Sequence, residues 1–350
     1  MAESLGSRGT LWRVASPYFT PSTERWLDAE IPADVYRFER VQAVGAGQDW
    51  HARRNAHSSL AEWIAYYRQA YHTISKPSDG LISVFPQLAA ALSTVSRVRR
   101  DDRPIVSWFF NTNLDDETRR RAASLGLARI DRFVVHSSVE VEAYASLLGI
   151  SEDRFHFVPL QYGAKIETEA PNRPEPYVFA TGSGNRDYKT FFEAIAKLEY
   201  PTVVVAGERV LSGLTPPANV EIVDTMSKEQ IRRHVRHAAV NVLPLKPDGV
   251  TAGLVTIVEC LRHGRGMVAT ARSGIEDYLT DGSNALLALP GNAESLAHRI
   301  EAMWSDEDLR RKLDSNASSF AEQNCTDRAA ALALVDVLDG VPLRQARLAA

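Results

Sequence analysis

Short apolar runs rich in valine and isoleucine alternate with amphipathic stretches along the chain, and this rhythm limits the fold more than any other feature. In the second half the runs are YVFATG, TVVVAG, VEIVD, AVNVLPL, GMVAT and ALLAL; in the first half they are LWRVASPYF, GLISVF, PIVSWFF, RFVVHS and FHFVPL. Most are too short for helices and too continuously apolar for a sheet with one wet face, so they predict strands buried on both sides. The stretches between them read as helices: HSSLAEWIAYYRQAYHTI, PQLAAALSTVSRVRR, DDETRRRAASLGL and VEVEAYASLLG, then DYKTFFEAIAKL, SKEQIRRHVRHA, residues 253–263 and NAESLAHRIEAMW. Strand and helix in regular turn imply parallel sheets covered by helices. At 350 residues the chain suits two such units, and the polar segment 163–177, rich in proline, reads as the linker between them. The expected fold class is α/β: two Rossmann-like domains, 1–165 and 166–325, facing each other across a cleft, followed by a helical stretch over 326–350 with one apolar face.

Composition removes several functions. A formal net charge of −4 does not suggest nucleic-acid binding. The two cysteines, Cys260 and Cys325, lack metal-ligand or CxxC spacing and read as reduced thiols of a cytoplasmic protein. The N-terminus has no signal-peptide core, and no apolar run approaches the roughly 20 residues needed to span a bilayer, so at most a peripheral membrane contact is expected. The GxG at 182–184 is not GxGxxG, which argues against a nicotinamide dinucleotide.

Two segments carry candidate chemistry. In ATGSGNRDYKTFFEA (180–194) a strand runs through a small-residue turn into a helix, where free backbone amides and the positive helix end suit a phosphate. Arg186 and Lys189, three residues apart, can face the same anion; the alternative is an Asn185 or Asp187 helix cap with exposed basic neighbours. In the second segment AVNVLPL leads through KPDGVTA into a helix at Gly253-Leu254-Val255 that carries Glu259 inside an apolar run. Gly253 allows close approach to the backbone, the neighbouring amides suit a second phosphate edge, and Glu259 could accept from ribose hydroxyls or pair with a buried partner. Both segments fall at strand carboxyl ends, and together they fit a nucleoside diphosphate.

The order and spacing of NRDYKTFFEAI, TVVVAG, AVNVLPL, GLVTIVECLRHGRGMVAT and GIEDYLTDGSNALLALPGNAESLAHRI resemble the donor-binding domain of GT-B glycosyltransferases, most closely the large retaining family 4, glycosyl transferases group 1. That resemblance implies a metal-independent enzyme without a cofactor, using a UDP- or GDP-sugar as co-substrate and passing the sugar to a carbohydrate, lipid-linked or small-molecule acceptor. It implies diphosphate contacts from Arg186, Lys189 and the amides of Gly253, Leu254 and Val255, ribose contact from Glu259, and a base against Val223. It also implies that the C-terminal helix crosses back to the first domain. The family's first motif glutamate is replaced here by Thr251, eight residues before Glu259. RFVVHSSVEVEAYASLLG resembles the end of the family's N-terminal domain, which brings His136 forward as a catalytic candidate, a structural histidine being the alternative. Where the family commonly has a histidine after the strand PIVSWFF, Asn111 and Asn113 stand instead and could bond sugar hydroxyls. An epimerase or hydrolase, or a nucleotide-binding partner without activity, are the competing functions. The aromatics Trp63, Tyr66, Tyr67 and Tyr71 read as a core face; the arginines at 97, 99, 100 and 119–121 read as a solvated face, with anionic headgroups as the alternative.

Overall fold

The computed structural model describes residues 9–19, 26–43, 58–112, 114, 116–161, 169, 176–247 and 251–343. Most of the linker segment, Asn113 and the loop residues 248–250 lie outside these. The chain forms two compact units, residues 1–158 with 330–350, and residues 159–329.

The first unit is built on a parallel sheet of β1 (Thr10–Ala15), β2 (Tyr36–Val41), β3 (Gly80–Val84), β4 (Ile105–Trp108), β5 (Arg132–Val135) and β6 (Phe155–Phe157), in the order β2-β1-β3-β4-β5-β6. Alternate residues feed opposite faces. Leu81, Ile105 and Phe133 pack under α1 (Leu60–Ile74), α2 (Pro86–Arg99), α3 (Glu117–Leu127) and α4 (Val139–Leu148). Ile82, Val106 and Val134 pack on the other side with Trp12, Trp108 and residues 330–341 of the chain's end. Each such side chain contributes about 1.5–3 kcal/mol when withdrawn from water. Trp12 lies flat against Gly80, where a Cβ would overlap its ring. The strand β2 was not among the runs read from the sequence. It lies at the sheet edge, and its Arg37, Glu39 and Arg40 break the apolar pattern that marks the central strands.

The second unit has a parallel sheet of β7 (Val178–Thr181), β8 (Thr202–Val205), β9 (Val220–Val223), β10 (Val240–Leu243), β11 (Met267–Thr270) and β12 (Ala285–Ala288), in the order β12-β11-β10-β7-β8-β9. The helices α5 (Tyr188–Leu198), α9 (Ala293–Ser305) and α10 (Glu307–Asn324) cover one face over Val178, Val204, Val242 and Val268. The opposite face meets α7 (Lys228–His237) and α8 (Leu254–Arg262), with His234 stacked on Phe179 at 5.0 Å. Local signals set the helix starts: a capping box joins Ser227 and Gln230, and Asp187, Asn292 and Asp306 each cap the helix that follows. The short helix α6 (Glu208–Leu211) completes the unit, and α11 (Asp327–Asp339) leads out of it.

Candidate functional site

From β7 the second sheet grows through β8 and β9 on one side and through β10, β11 and β12 on the other. The crevice at such a reversal, off the strand carboxyl ends, is where open α/β sheets bind ligands. Residues 182–187, which follow β7, and the described residues 244–247 and 251–256, which come after β10, both fall there. The two loops are laced together: Asp187 N–H donates to the Pro244 carbonyl at 3.0 Å, Lys246 N–H donates to the Asn185 carbonyl at 3.0 Å, and Arg186 bridges Leu245.

Arg186 occupies the centre of this junction and is 7% exposed. Its Nε donates to the Thr181 carbonyl at 3.1 Å, Nη1 to the Gly184 carbonyl at 2.7 Å and Nη2 to Thr256 Oγ1 at 3.0 Å. All these acceptors are neutral, and among the described residues no carboxylate pairs with the guanidinium. Burial pulls its pKa below the usual arginine value. A charge withdrawn from water without a counter-charge is costly, and a bound anion would offset that cost. The loop is shaped around the guanidinium. Gly182 has φ +110°, and a Cβ there would overlap it. Tyr188 Oη also donates to the Gly182 carbonyl at 2.7 Å.

Arg186 precedes α5 rather than lying within it, so its separation of three residues from Lys189 does not place both on one helix face. Lys189 is exposed on the first turn of α5. Opposite Arg186, Gly253 (φ +87°) begins α8 with no side-chain cap. The first helical bond runs from Ile257 N–H to the Gly253 carbonyl, so the amides of Leu254, Val255 and Thr256 have no partner within the helix. The Leu254 side chain is buried, whereas Val255 is exposed. Thr251 packs against Gly274 (φ +98°), where a Cβ would come within 2.7 Å of Thr251 Oγ1.

Glu259 is buried and already has protein partners: its Oε1 accepts from Arg232 Nε at 2.9 Å and from His263 Nε2 at 3.1 Å. Arg232 comes from α7, and nothing in the spacing of either helix announces the pair. Val223 ends the edge strand β9, half-buried and two strands from β7.

In the first unit Asn111 and His136 are linked by a residue the sequence reading passed over. Glu140, buried in the first turn of α4, accepts from Asn111 Nδ2 at 3.0 Å and from the His136 backbone N–H at 3.3 Å. The His136 ring is buried against Phe109 at 4.8 Å, and its Nδ1 lies 2.8 Å from the Val158 carbonyl. A carbonyl only accepts, so Nδ1 carries the proton and Nε2 holds the lone pair. Burial drives the pKa of the ring down to about 4, leaving it neutral at pH 7. Phe85 (φ +101°) and Phe109 (φ +63°) stack at 5.8 Å beside this group, both in the left-handed region that aromatic residues rarely adopt.

Comparison with solved structures decides the architecture. Sucrose-phosphate synthase from Thermosynechococcus elongatus superposes with a TM-score of 0.69, over 94% of this chain and 98% of that one, at 15% identity. HepE of Anabaena, solved in complex with UDP, superposes with a TM-score of 0.65 over 95% and 100% of the two chains, at 13% identity. The fold is GT-B. Residues 175–306, most of the second GT-B unit, match the family described as glycosyl transferases group 1. An uncharacterized glycosyltransferase of Methanocaldococcus jannaschii is 26% identical over 106 residues, 30% of this chain. The matched stretch is 29% of that relative's length.

Proposed function

We propose that this chain is a glycosyltransferase that takes a sugar from a UDP- or GDP-sugar bound on its second unit and transfers it to a carbohydrate, lipid-linked or small-molecule acceptor, without a metal or cofactor. The observation that carries this reading is Arg186, a buried guanidinium that no carboxylate among the described residues pairs, at the crevice where the strand order reverses. A departing nucleoside diphosphate supplies an anion for this cation, and the first-turn amides of α8, which have no partner within the helix, add preorganised donors for the charge that develops as the glycosidic bond breaks. In this reading Gly253, Leu254 and Val255 face the diphosphate and Lys189 adds a second cation. Glu259 turns from its protein partners to the ribose, and the base lies near Val223. Retention of anomeric configuration follows the family's pattern. The match to glycosyl transferases group 1 supports the reaction class. The UDP and glucose bound by HepE make UDP-glucose the first donor to test. In the first unit, Asn111 and the lone pair of His136, joined through Glu140, are the proposed contacts to the acceptor or sugar.

The test is turnover. A panel of UDP- and GDP-sugars with candidate acceptors is expected to give transfer with at least one donor. Tight binding of nucleotide with neither transfer nor hydrolysis across the panel would favour the second reading, a partner that binds nucleotide without catalysis. One observation favours that alternative: Thr251 occupies the position of the family's first motif carboxylate and is packed on Gly274.

A further inference from the structure

The helix α1 buries one side in the first unit and leaves an apolar stripe on the other. Leu60, Ile64, Tyr67 and Tyr71, spaced four, three and four residues apart, are 77%, 46%, 40% and 49% exposed. That spacing places all four along one line of a helix. The aromatics read from the sequence as a core face therefore divide: Tyr66 is buried and Trp63 packs beside the core, whereas Tyr67 and Tyr71 face water.

The stripe continues onto the neighbouring helices. The Arg99 guanidinium of α2 lies over the Tyr71 ring at 5.3 Å, and Arg97 Nη1 donates to the Leu125 carbonyl of α3 at 3.0 Å. Val98 and Leu125 beside these contacts are exposed. The charges on this face are mostly positive. The helices α1 and α2 hold a single carboxylate, Glu62, which is tied into the capping box with Ser59. Against it stand Arg68, Arg97 and Arg99, with Arg100 directly after α2, all exposed; of the two carboxylates that follow, Asp101 is paired with Arg103 and Asp102 is exposed.

From this combination we infer that the α1–α2 face is an interfacial membrane-docking surface for anionic lipid. The apolar stripe enters the headgroup–acyl boundary, and the arginines meet lipid phosphates. An apolar helix face flanked by arginines, with a single carboxylate among them, has the composition of a helix lying in the plane of a bilayer. Tyrosine suits that boundary because its ring is apolar and its hydroxyl polar. Among the described residues no helix is long and apolar enough to cross a membrane, so the contact is peripheral. A second copy of this chain is the poorer occupant, because a two-fold interface through this face would bring arginine against arginine. The inference is independent of the reaction assigned above.

The experiment is cosedimentation of the full chain with vesicles of phosphatidylcholine, with and without phosphatidylglycerol, at low and high salt. Binding is expected with phosphatidylglycerol only and is expected to weaken as salt rises. Replacing Arg97, Arg99 and Arg100 together by Gln is expected to lower that affinity about a hundredfold, at about fivefold per arginine. The double variant Ile64→Ser with Tyr67→Ser is expected to lose at least about tenfold while keeping its salt dependence, since it removes apolar area and no charge. All five side chains are exposed, so unchanged circular dichroism is expected to verify folding. Equal binding to neutral and anionic vesicles, or none to either, would overturn the inference. So would a native dimer in sedimentation equilibrium that the double variant dissociates.

Discussion

Replacing Arg186 by Met separates what this side chain does for the fold from what it does for a ligand. In the chain without nucleotide the substitution removes a buried cation whose partners among the described residues are all neutral, which relieves a desolvation cost of several kcal/mol. It also leaves the Thr181 and Gly184 carbonyls and the Thr256 hydroxyl short of a donor, at roughly 1–3 kcal/mol for each group left dry. The two effects oppose, so unfolding free energy in urea is expected to move by less than about 2 kcal/mol. Nucleotide binding has no such compensation. A guanidinium–phosphate hydrogen bond is worth about 1.5–3 kcal/mol, which corresponds to roughly a tenfold to hundredfold loss of affinity. The assay is titration calorimetry with whichever of UDP and GDP binds the native chain, alongside the matching nucleoside. The nucleoside lacks the diphosphate and is expected to bind both proteins equally. Unchanged diphosphate affinity, or an equal loss for nucleoside and diphosphate, would refute the assignment of Arg186.

Three further outcomes are expected. Glu259→Gln should weaken the nucleotide about tenfold but leave its 2′,3′-dideoxy form unaffected if the carboxylate meets the ribose; Glu259→Ala should in addition destabilise the fold by about 3 kcal/mol, the low end for a broken buried pair, because part of the Arg232 side chain stays in water. His136 titrates near 4 when folded and near 6.5 when unfolded, so between these values the unfolded chain binds the extra proton. Its contribution to stability is complete above about pH 6.5 and is lost as pH falls toward 4, about 3 kcal/mol in all; urea melts of the native chain and of His136→Leu should show a shallower pH dependence in the variant. Gly253→Ala forces a Cβ into a φ of +87° and within 3.0 Å of Leu243 Cδ2, so a loss of roughly 1–2 kcal/mol is expected by the same melts.

The strands of the second unit were legible because central parallel strands are buried on both faces and show as unbroken runs such as TVVV and MVAT. The edge strand β2 carries Arg37, Glu39 and Arg40, which interrupt its apolar run and hide it from a reading that looks for unbroken runs. Among the candidate site residues, Arg186 and Gly253 could be picked out because each stands where a strand turns into a helix, a local pattern. Their supporting partners could not. Thr256 lies 70 residues from Arg186, Arg232 lies 27 from Glu259, and Glu140 lies 29 from Asn111. Such pairs form only once the sheets bring distant segments together. The outward turn of Tyr67 and Tyr71 was hidden for a different reason: spacing defines a helical stripe but not which side of the helix meets the core.

The return of the chain's end to the first unit affects the order of its assembly. Residues 159–329 are contiguous, so that unit can fold as soon as it has been synthesised. The first unit is translated earlier, yet one face of its sheet, with Trp12, Ile82 and Val106, is covered by Ala330, Leu334 and Leu338. Tyr36 Oη donates to Asp339, and Arg132 Nη2 to the Gly340 carbonyl at 3.0 Å, which fastens the same closure. On the ribosome the unit made first is therefore completed last, reversing the usual N-terminal-first order. Until residues 330–341 emerge, a nascent chain must keep an uncovered apolar sheet from meeting other chains.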